Sequence, residues 1–290
     1  PVASRAAVTA SDPQLQAAAE RALDAAVTAH HATGALAVVL DARSGDVRAL
    51  VSRGDADPRA ARIPGSTLKP FTFAAALEAG TATPRTTLDC EQGVHRYGAR
   101  TMTDASPHGV LDLGAILAVS SNVCTAKLAA PLGDRLAAAL RRYHLTASEH
   151  IDTRTLDGAA IATGEGLHLS ALELAAGYTA FADHGTYHFA GTTERVMSDQ
   201  AASAVLAMLE RVVTDAEGTG HAAALPGVRV AGKTGTTPHG RDRFYASFVG
   251  IVPADAPRFV ILVGMDGVTE SGGVVAAPVF ATIAGEALAR

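Results

Sequence analysis

The chain has no tryptophan, and aromatic residues fill only 4% of its 290 positions. Any large core must therefore be built from Ala, Val and Leu. There is no apolar run of the roughly 20 residues that a membrane-spanning helix needs, and no charged leader ahead of a short apolar stretch. No basic run exceeds the pair Arg141-Arg142, the formal charge is −5, and the isoelectric point is near 6.1. Nucleic acid is thereby a poor fit as a partner. Cysteine is scarce: Cys90 and Cys124 are the only two, too few for a thiolate metal site. Two buried free thiols are the expectation here, with a bridge as the alternative. Internal repeats and low-complexity linkers are also missing.

What remains is an ordinary globular composition. Hydrophobic residues make up 48% of the chain and the mean hydropathy is +0.18, which is enough to bury a sizeable core and unlike a disordered chain. Leu15, Ala19, Leu23 and Val27 recur at helical spacing and predict a helix over 12–31. A hairpin follows, with strands over 36–41 and 47–52 turned at Ser44-Gly45, and then a polar loop over 55–62. From 66 to about 224 the pattern is mostly helical, with loops over 90–107 and 148–163 and clear helices over 171–182 and 198–214. Strand-like runs over 228–236, 244–252 and 258–265 precede a last helix over 277–289. Strands at both ends of a helical middle imply an α+β fold. Its antiparallel sheet has about five strands flanked by helices, with an inserted all-helical lobe. The chain reads as a single domain, with 1–65 and 225–290 as the sheet lobe and 66–224 as the mainly helical lobe.

Three short segments carry chemistry. Ser66 and Lys69 are three residues apart at a helix start after Pro64-Gly65, so both lie on one face about a turn apart. A serine hydroxyl needs a neighbouring base, and Lys69 serves only if burial or nearby positive charge lowers its pKa. Ser66 in the first turn would also meet unpaired N–H groups and the helix dipole. The second segment, Ser120-Ser121-Asn122, falls between two helical runs. A hydroxyl there could shuttle a proton and the amide could hold a peptide carbonyl. The third, Lys233-Thr234-Gly235-Thr236, lies on a strand before the turn Pro238-His239-Gly240. Gly235 leaves room for a ligand backbone, the lysine and threonines could hold a carboxylate, and the Thr236 N–H could face an oxyanion. Each segment alone also reads blandly, as a helix cap, an N-cap and a lysine-guarded edge strand.

In this order the trio resembles the signature of penicillin-binding proteins and serine β-lactamases. The flanks extend the likeness to the monofunctional, class B transpeptidase domains. They are Val38-Val39-Leu40-Asp41, Ser44-Gly45-Asp46-Val47, Pro64 to Phe71, Gly218-Thr219-Gly220, Phe248-Val249-Gly250 and Gly272-Gly273 to Phe280. The resemblance implies Ser66 as acylated nucleophile, Lys69 as its base and Ser120 as proton relay. Asn122 would position Lys69 and the substrate amide. Lys233 would tune the field and, with Thr234, Gly235 and Thr236, bind substrate. The N–H groups of Ser66 and Thr236 would form an oxyanion hole.

The implied reaction is peptidoglycan D,D-transpeptidation on stem peptides ending in D-Ala-D-Ala, blocked covalently by β-lactam antibiotics, with no cofactor and no metal. D,D-carboxypeptidase, β-lactamase and a non-catalytic β-lactam sensor use the same site and stay open, although a clear deacylating carboxylate is missing. The resemblance further implies the extracytoplasmic face of a bacterial membrane. It also implies an anchor and partner-binding part ahead of Pro1 that would meet other cell-wall synthesis proteins.

Several residues outside the trio receive plainer readings. Glu165, between two glycines, is a helix N-terminal charge rather than a water-activating base. Gly185 interrupts His184 and His188, which argues against a shared metal. Arg241 and Arg243 belong to a solvated turn rather than to a contact with an acidic substrate tail.

Overall fold

The computed structural model describes residues 10–145 and 150–290. Residues 1–9 and 146–149 lie outside them. Five antiparallel strands form one sheet in the spatial order Val47–Gly54, Gly34–Asp41, Phe259–Val268, Phe244–Val252, Ala231–Pro238. The expected sheet, drawn from both chain ends, is thus present.

Alternation along the strands explains why both faces are covered. In Gly34–Asp41, Leu36, Val38 and Leu40 pack toward the inserted segment. Ala35, Ala37 and Val39 pack toward the terminal helices Pro13–His30 and Ala277–Leu288. Successive side chains point to opposite faces, so a strand apolar at every position is buried twice. The first helix starts where Asp12 accepts from the N–H groups of Gln14 and Leu15. It also seals one sheet edge. The Gln16 carboxamide accepts from Leu50 N at 2.8 Å and donates to Leu50 O at 3.1 Å, imitating a sixth strand.

The segment between the two halves of the sheet is mainly helical, but the expectation of an all-helical lobe needs correcting. Three two-stranded ribbons interrupt it: Thr87–Asp89 with Val110–Asp112, Val94–Tyr97 with Arg100–Thr103, and Thr186–Phe189 with Thr192–Arg195. Runs of three or four residues are too short to show a period. The expected loop over 148–163 is also revised, because Leu156–Thr163 is a helix capped by Thr155 and ended by Gly164 at φ 93°. Its alanines and glycine carry little amphipathic contrast. The third motif's strand begins at Ala231 rather than 228, since Val228 instead bridges back to Leu225.

A central helix, Lys69–Glu78, is buried from Lys69 to Ala76. Phe71 packs on Tyr178, Phe181 and Tyr143 with ring centroids 5.3, 4.9 and 6.0 Å away. This cluster concentrates much of a small aromatic content around one helix.

The cysteine expectation is overturned. Cys90 and Cys124 form a disulfide with Cα atoms 4.9 Å apart, because the helix Asn122–Ala129 packs beside the strand Thr87–Asp89. A separation of 34 residues in sequence says nothing about distance in space. Closing such a loop stabilises by about 3–4 kcal/mol through the unfolded chain. The Cys90→Ala/Cys124→Ala variant is therefore expected to unfold about 3 kcal/mol more easily in urea. A loss under about 1 kcal/mol would show that the bridge contributes little.

Candidate active site

All three motif segments meet at one edge of the sheet. Gly65–Leu68 forms a 3-10 turn that runs directly into the central helix. The Lys69 N–H closes that turn on the Ser66 carbonyl, so Ser66 and Lys69 are a turn apart as expected. Pro64 and Gly65 bring the turn against the edge strand. Gly65 has φ +56°, and a Cβ there would lie 2.5 Å from Thr237 Cγ2 and 3.9 Å from Thr236 N. Only glycine fits so close an approach. Tyr178 donates to Thr67 O at 2.6 Å, and Thr67 Oγ1 donates to Pro64 O at 2.6 Å. The turn is thus held from both sides, while Ser66 itself remains part-exposed.

Ser120 occupies the corner between the helices Leu113–Val119 and Asn122–Ala129, in the left-handed region at φ 60°. Its hydroxyl lies between two amines. Lys69 Nζ donates to it at 3.2 Å and also to the Ser120 carbonyl. Lys233 Nζ reaches the same hydroxyl at 2.8 Å. Both lysines are fully buried. Burial pulls Lys69 down to about 7, against the opposing charges of Asp104 and Glu165. Burial, and then the charge of Lys69, hold Lys233 well below the ordinary lysine range. Two buried cations sharing one hydroxyl repel, so the pocket favours a neutral amine.

Lys233 also faces the Thr234 carbonyl and hydroxyl at 3.3 and 3.4 Å. Thr234 Oγ1 pairs with Thr219 Oγ1 at 2.8 Å, and Thr236 Oγ1 accepts from Gly272 N at 3.1 Å. Gly235 packs on the turn, because a Cβ there would meet Thr67 Cγ2 at 3.1 Å and Pro64 O at 3.2 Å. Hydroxyls and a buried amine on an edge strand make a site suited to a carboxylate and an extended peptide.

Asn122 is placed differently from the expectation. Its carboxamide donates to Thr103 O at 3.1 Å, and the bonds of the Lys69 amine go to Ser120. Sequence reasoning also missed Asp104. It accepts from Ser121 Oγ at 2.6 Å, from Asn122 N at 2.5 Å and from Val123 N at 3.0 Å. It sits 17 residues before Ser121 in a stretch read as a loop, and no spacing flags it. Thr219, part of the quoted Gly218-Thr219-Gly220, had no role assigned to it.

Of the remaining charges, Glu165 acts on Lys69 from outside the pocket. Glu165 is exposed on a turn whose Gly164 carbonyl accepts from Gly65 N at 3.1 Å. His184 bonds Asp199 at 2.8 Å, whereas His188 bonds Asp183 at 2.7 Å, so the two rings face different partners. Arg243 donates to Gly267 O at 2.9 Å.

Comparison with known proteins agrees with the geometry. Residues 35–285 match the family model described as penicillin binding protein transpeptidase domain. The chain is 32% identical to the probable peptidoglycan D,D-transpeptidase PenA of Neisseria gonorrhoeae, covering 96% of this chain and 55% of that protein. It is 29% identical to the peptidoglycan D,D-transpeptidase FtsI of Escherichia coli, with the same coverage. It therefore spans about half the length of the curated relatives it matches. Among solved structures, the transpeptidase domain of Burkholderia pseudomallei penicillin-binding protein 3 superposes with a TM-score of 0.86 at 31% identity, covering 96% of this chain and 94% of that one. A peptidoglycan glycosyltransferase structure from Burkholderia ambifaria gives 0.87 at 31% identity, covering 96% of both chains.

The lysine pocket predicts a pH signature in stability. The unfolded chain keeps the Lys69 proton up to about 10.5, but the folded chain loses it near 7. Between these values the unfolded state binds more protons, so stability rises with pH. In Lys69→Met this contribution is absent. Urea titrations are expected to show wild type gaining on the variant from pH 7 to 10. Parallel pH profiles would show that Lys69 is not shifted.

Proposed function

Because this chain belongs to the penicillin-binding protein transpeptidase domain family, we propose that it is a peptidoglycan D,D-transpeptidase acting through an acyl-serine on stem peptides ending in D-Ala-D-Ala. The observation that carries this reading is the convergence of the two buried lysine amines on the Ser120 hydroxyl, one of them a turn from Ser66.

The residues divide the chemistry as follows. Neutral Lys69 takes the Ser66 proton as Ser66 Oγ attacks the carbonyl of the penultimate D-Ala. The N–H groups of Ser66 and Thr236, from the 3-10 turn and the facing strand, hold the developing oxyanion. The substrate carboxylate lies against Thr234, Thr236 and Lys233, and its negative charge favours the protonated form of Lys233 that burial disfavours. Ser120, bonded to both amines, passes a proton to the departing D-Ala nitrogen. The substrate backbone runs along the strand edge past Gly235, with the Asn122 carboxamide near its amide. An amine of a neighbouring strand then attacks the ester, and Ser66 recovers its proton.

A β-lactam would enter as a substrate mimic and leave a long-lived ester on Ser66. The site calls for no cofactor. The reaction takes place where peptidoglycan lies, outside the cytoplasm, and the Cys90–Cys124 bridge fits such an oxidising compartment. Among the described residues no helix is long and apolar enough to cross a membrane.

Intact-protein mass spectrometry after benzylpenicillin treatment tests the proposal. One drug-mass adduct on the peptide bearing Ser66 is expected, and none in Ser66→Ala. The acylation rate should climb about tenfold per pH unit below 7 and level off above it, following the neutral form of Lys69. An adduct retained by Ser66→Ala would sink the reading. Release of D-Ala without cross-linked product would make the enzyme a carboxypeptidase, and rapid loss of the adduct as hydrolysed drug would make it a β-lactamase.

A further inference from the structure

Asp104 stands outside all three motifs, yet the corner bearing Ser120 is fastened to it. Ser120 is a non-glycine residue at φ 60°, a conformation that costs about 1–2 kcal/mol and needs support from its surroundings. That support lies immediately downstream. Asp104 Oδ1 takes the N–H groups of Asn122 and Val123, which have no partner within their own helix. Asp104 Oδ2 takes the Ser121 hydroxyl. The preceding carbonyl, Thr103 O, takes the Asn122 carboxamide.

The carboxylate is itself tied down. Asp104 N donates to Gly93 O at 2.9 Å, and Gly93 N donates to Cys90 O at 2.8 Å. Cys90 is bridged to Cys124. Cys124 N donates to Ser121 Oγ at 3.0 Å, which returns to Asp104. A closed ring of bonds therefore surrounds the start of the helix Asn122–Ala129. It links the Val94–Thr103 ribbon to the catalytic corner.

We propose that Asp104 is a positioning residue for acyl transfer, holding the Ser120–Asn122 corner so that the Ser120 hydroxyl stays between the amines of Lys69 and Lys233. This rests on the acyl-serine reading above. The Asp104 charge has a second effect, because it favours the protonated form of Lys69 against burial. Glu165 acts in the same sense, and Lys233 faces Lys69 across the Ser120 hydroxyl.

Two substitutions separate position from charge. Asp104→Ala removes every contact to the corner. Asp104→Asn keeps an oxygen for the Asn122 and Val123 N–H groups but removes the charge. Acylation by a fluorescent penicillin would be followed from pH 5.5 to 9, with melting temperature recorded for each variant. Asp104→Ala is expected to lower the plateau rate about 10- to 100-fold, as misplacement of a relay group does. Asp104→Asn is expected to keep more of the plateau and to move the acid limb down by roughly half to one pH unit.

A carboxylate that only stabilised the fold would lower the melting temperature and leave the limb in place. An Asn variant with an unmoved limb, or a folded Ala variant acylating at the wild-type rate, overturns the inference. If the Ala variant does not fold, the Asn variant decides alone. Failure of the wild type to form a Ser66 adduct would overturn the acyl-serine reading itself, whereas a normal wild type with unchanged variants overturns the role of Asp104 alone.

Discussion

The structure turns on two lysine side chains, themselves buried, that share one serine hydroxyl. A buried ammonium is costly, and two in contact are costlier still. The protein meets this cost in the pocket by lowering the hold of both amines on their protons. Much of the surrounding architecture serves to hold that arrangement in place. The aromatic cluster around Phe71 fixes the central helix. The Tyr178 hydroxyl fixes the turn before it. The strand bearing Lys233 is held in register against its neighbour from Ala231 to Pro238.

The three segments come from parts of the fold that differ in kind. A 3-10 turn presents Ser66, a left-handed corner presents Ser120, and a sheet edge presents Lys233 to Thr236. Each is a place where regular hydrogen bonding stops, so polar groups are available for chemistry. The elements behind them are regular and apolar. This division lets a sheet with both faces buried position irregular pieces closely, because the irregular pieces need only short tethers to something rigid.

Much of this could be read from the chain alone, for identifiable reasons. The sheet was legible because four of its strands are long and carry Val, Ile or Leu, and the fifth carries the third motif. The helix Ala171–Ala182 keeps its expected bounds because a Ser170–Glu173 capping box marks its start. The motif trio was legible because chemistry constrains residue type at short spacing. Features resting on contacts between distant segments were not. The ribbons are too short to carry a pattern, and nothing in the sequence places Cys90 beside Cys124. Asp104 looks like any loop aspartate until the fold lays it under Asn122. Even the Asn122 carboxamide faces Thr103 rather than Lys69, a detail that only the path of the ribbon decides.

The glutamine on the first helix has one more consequence. By satisfying Leu50 on the far strand, Gln16 takes one pair of edge groups away from any strand that would add on that flank. The opposite margin of the sheet is the strand that carries Lys233 to Thr236. An extended chain adds to a sheet only where backbone groups at a margin are free, and the glutamine occupies one such pair on the flank away from Lys233 to Thr236. A side chain far from the three motifs thus bears on strand addition to the sheet, through the competing mooring that it removes.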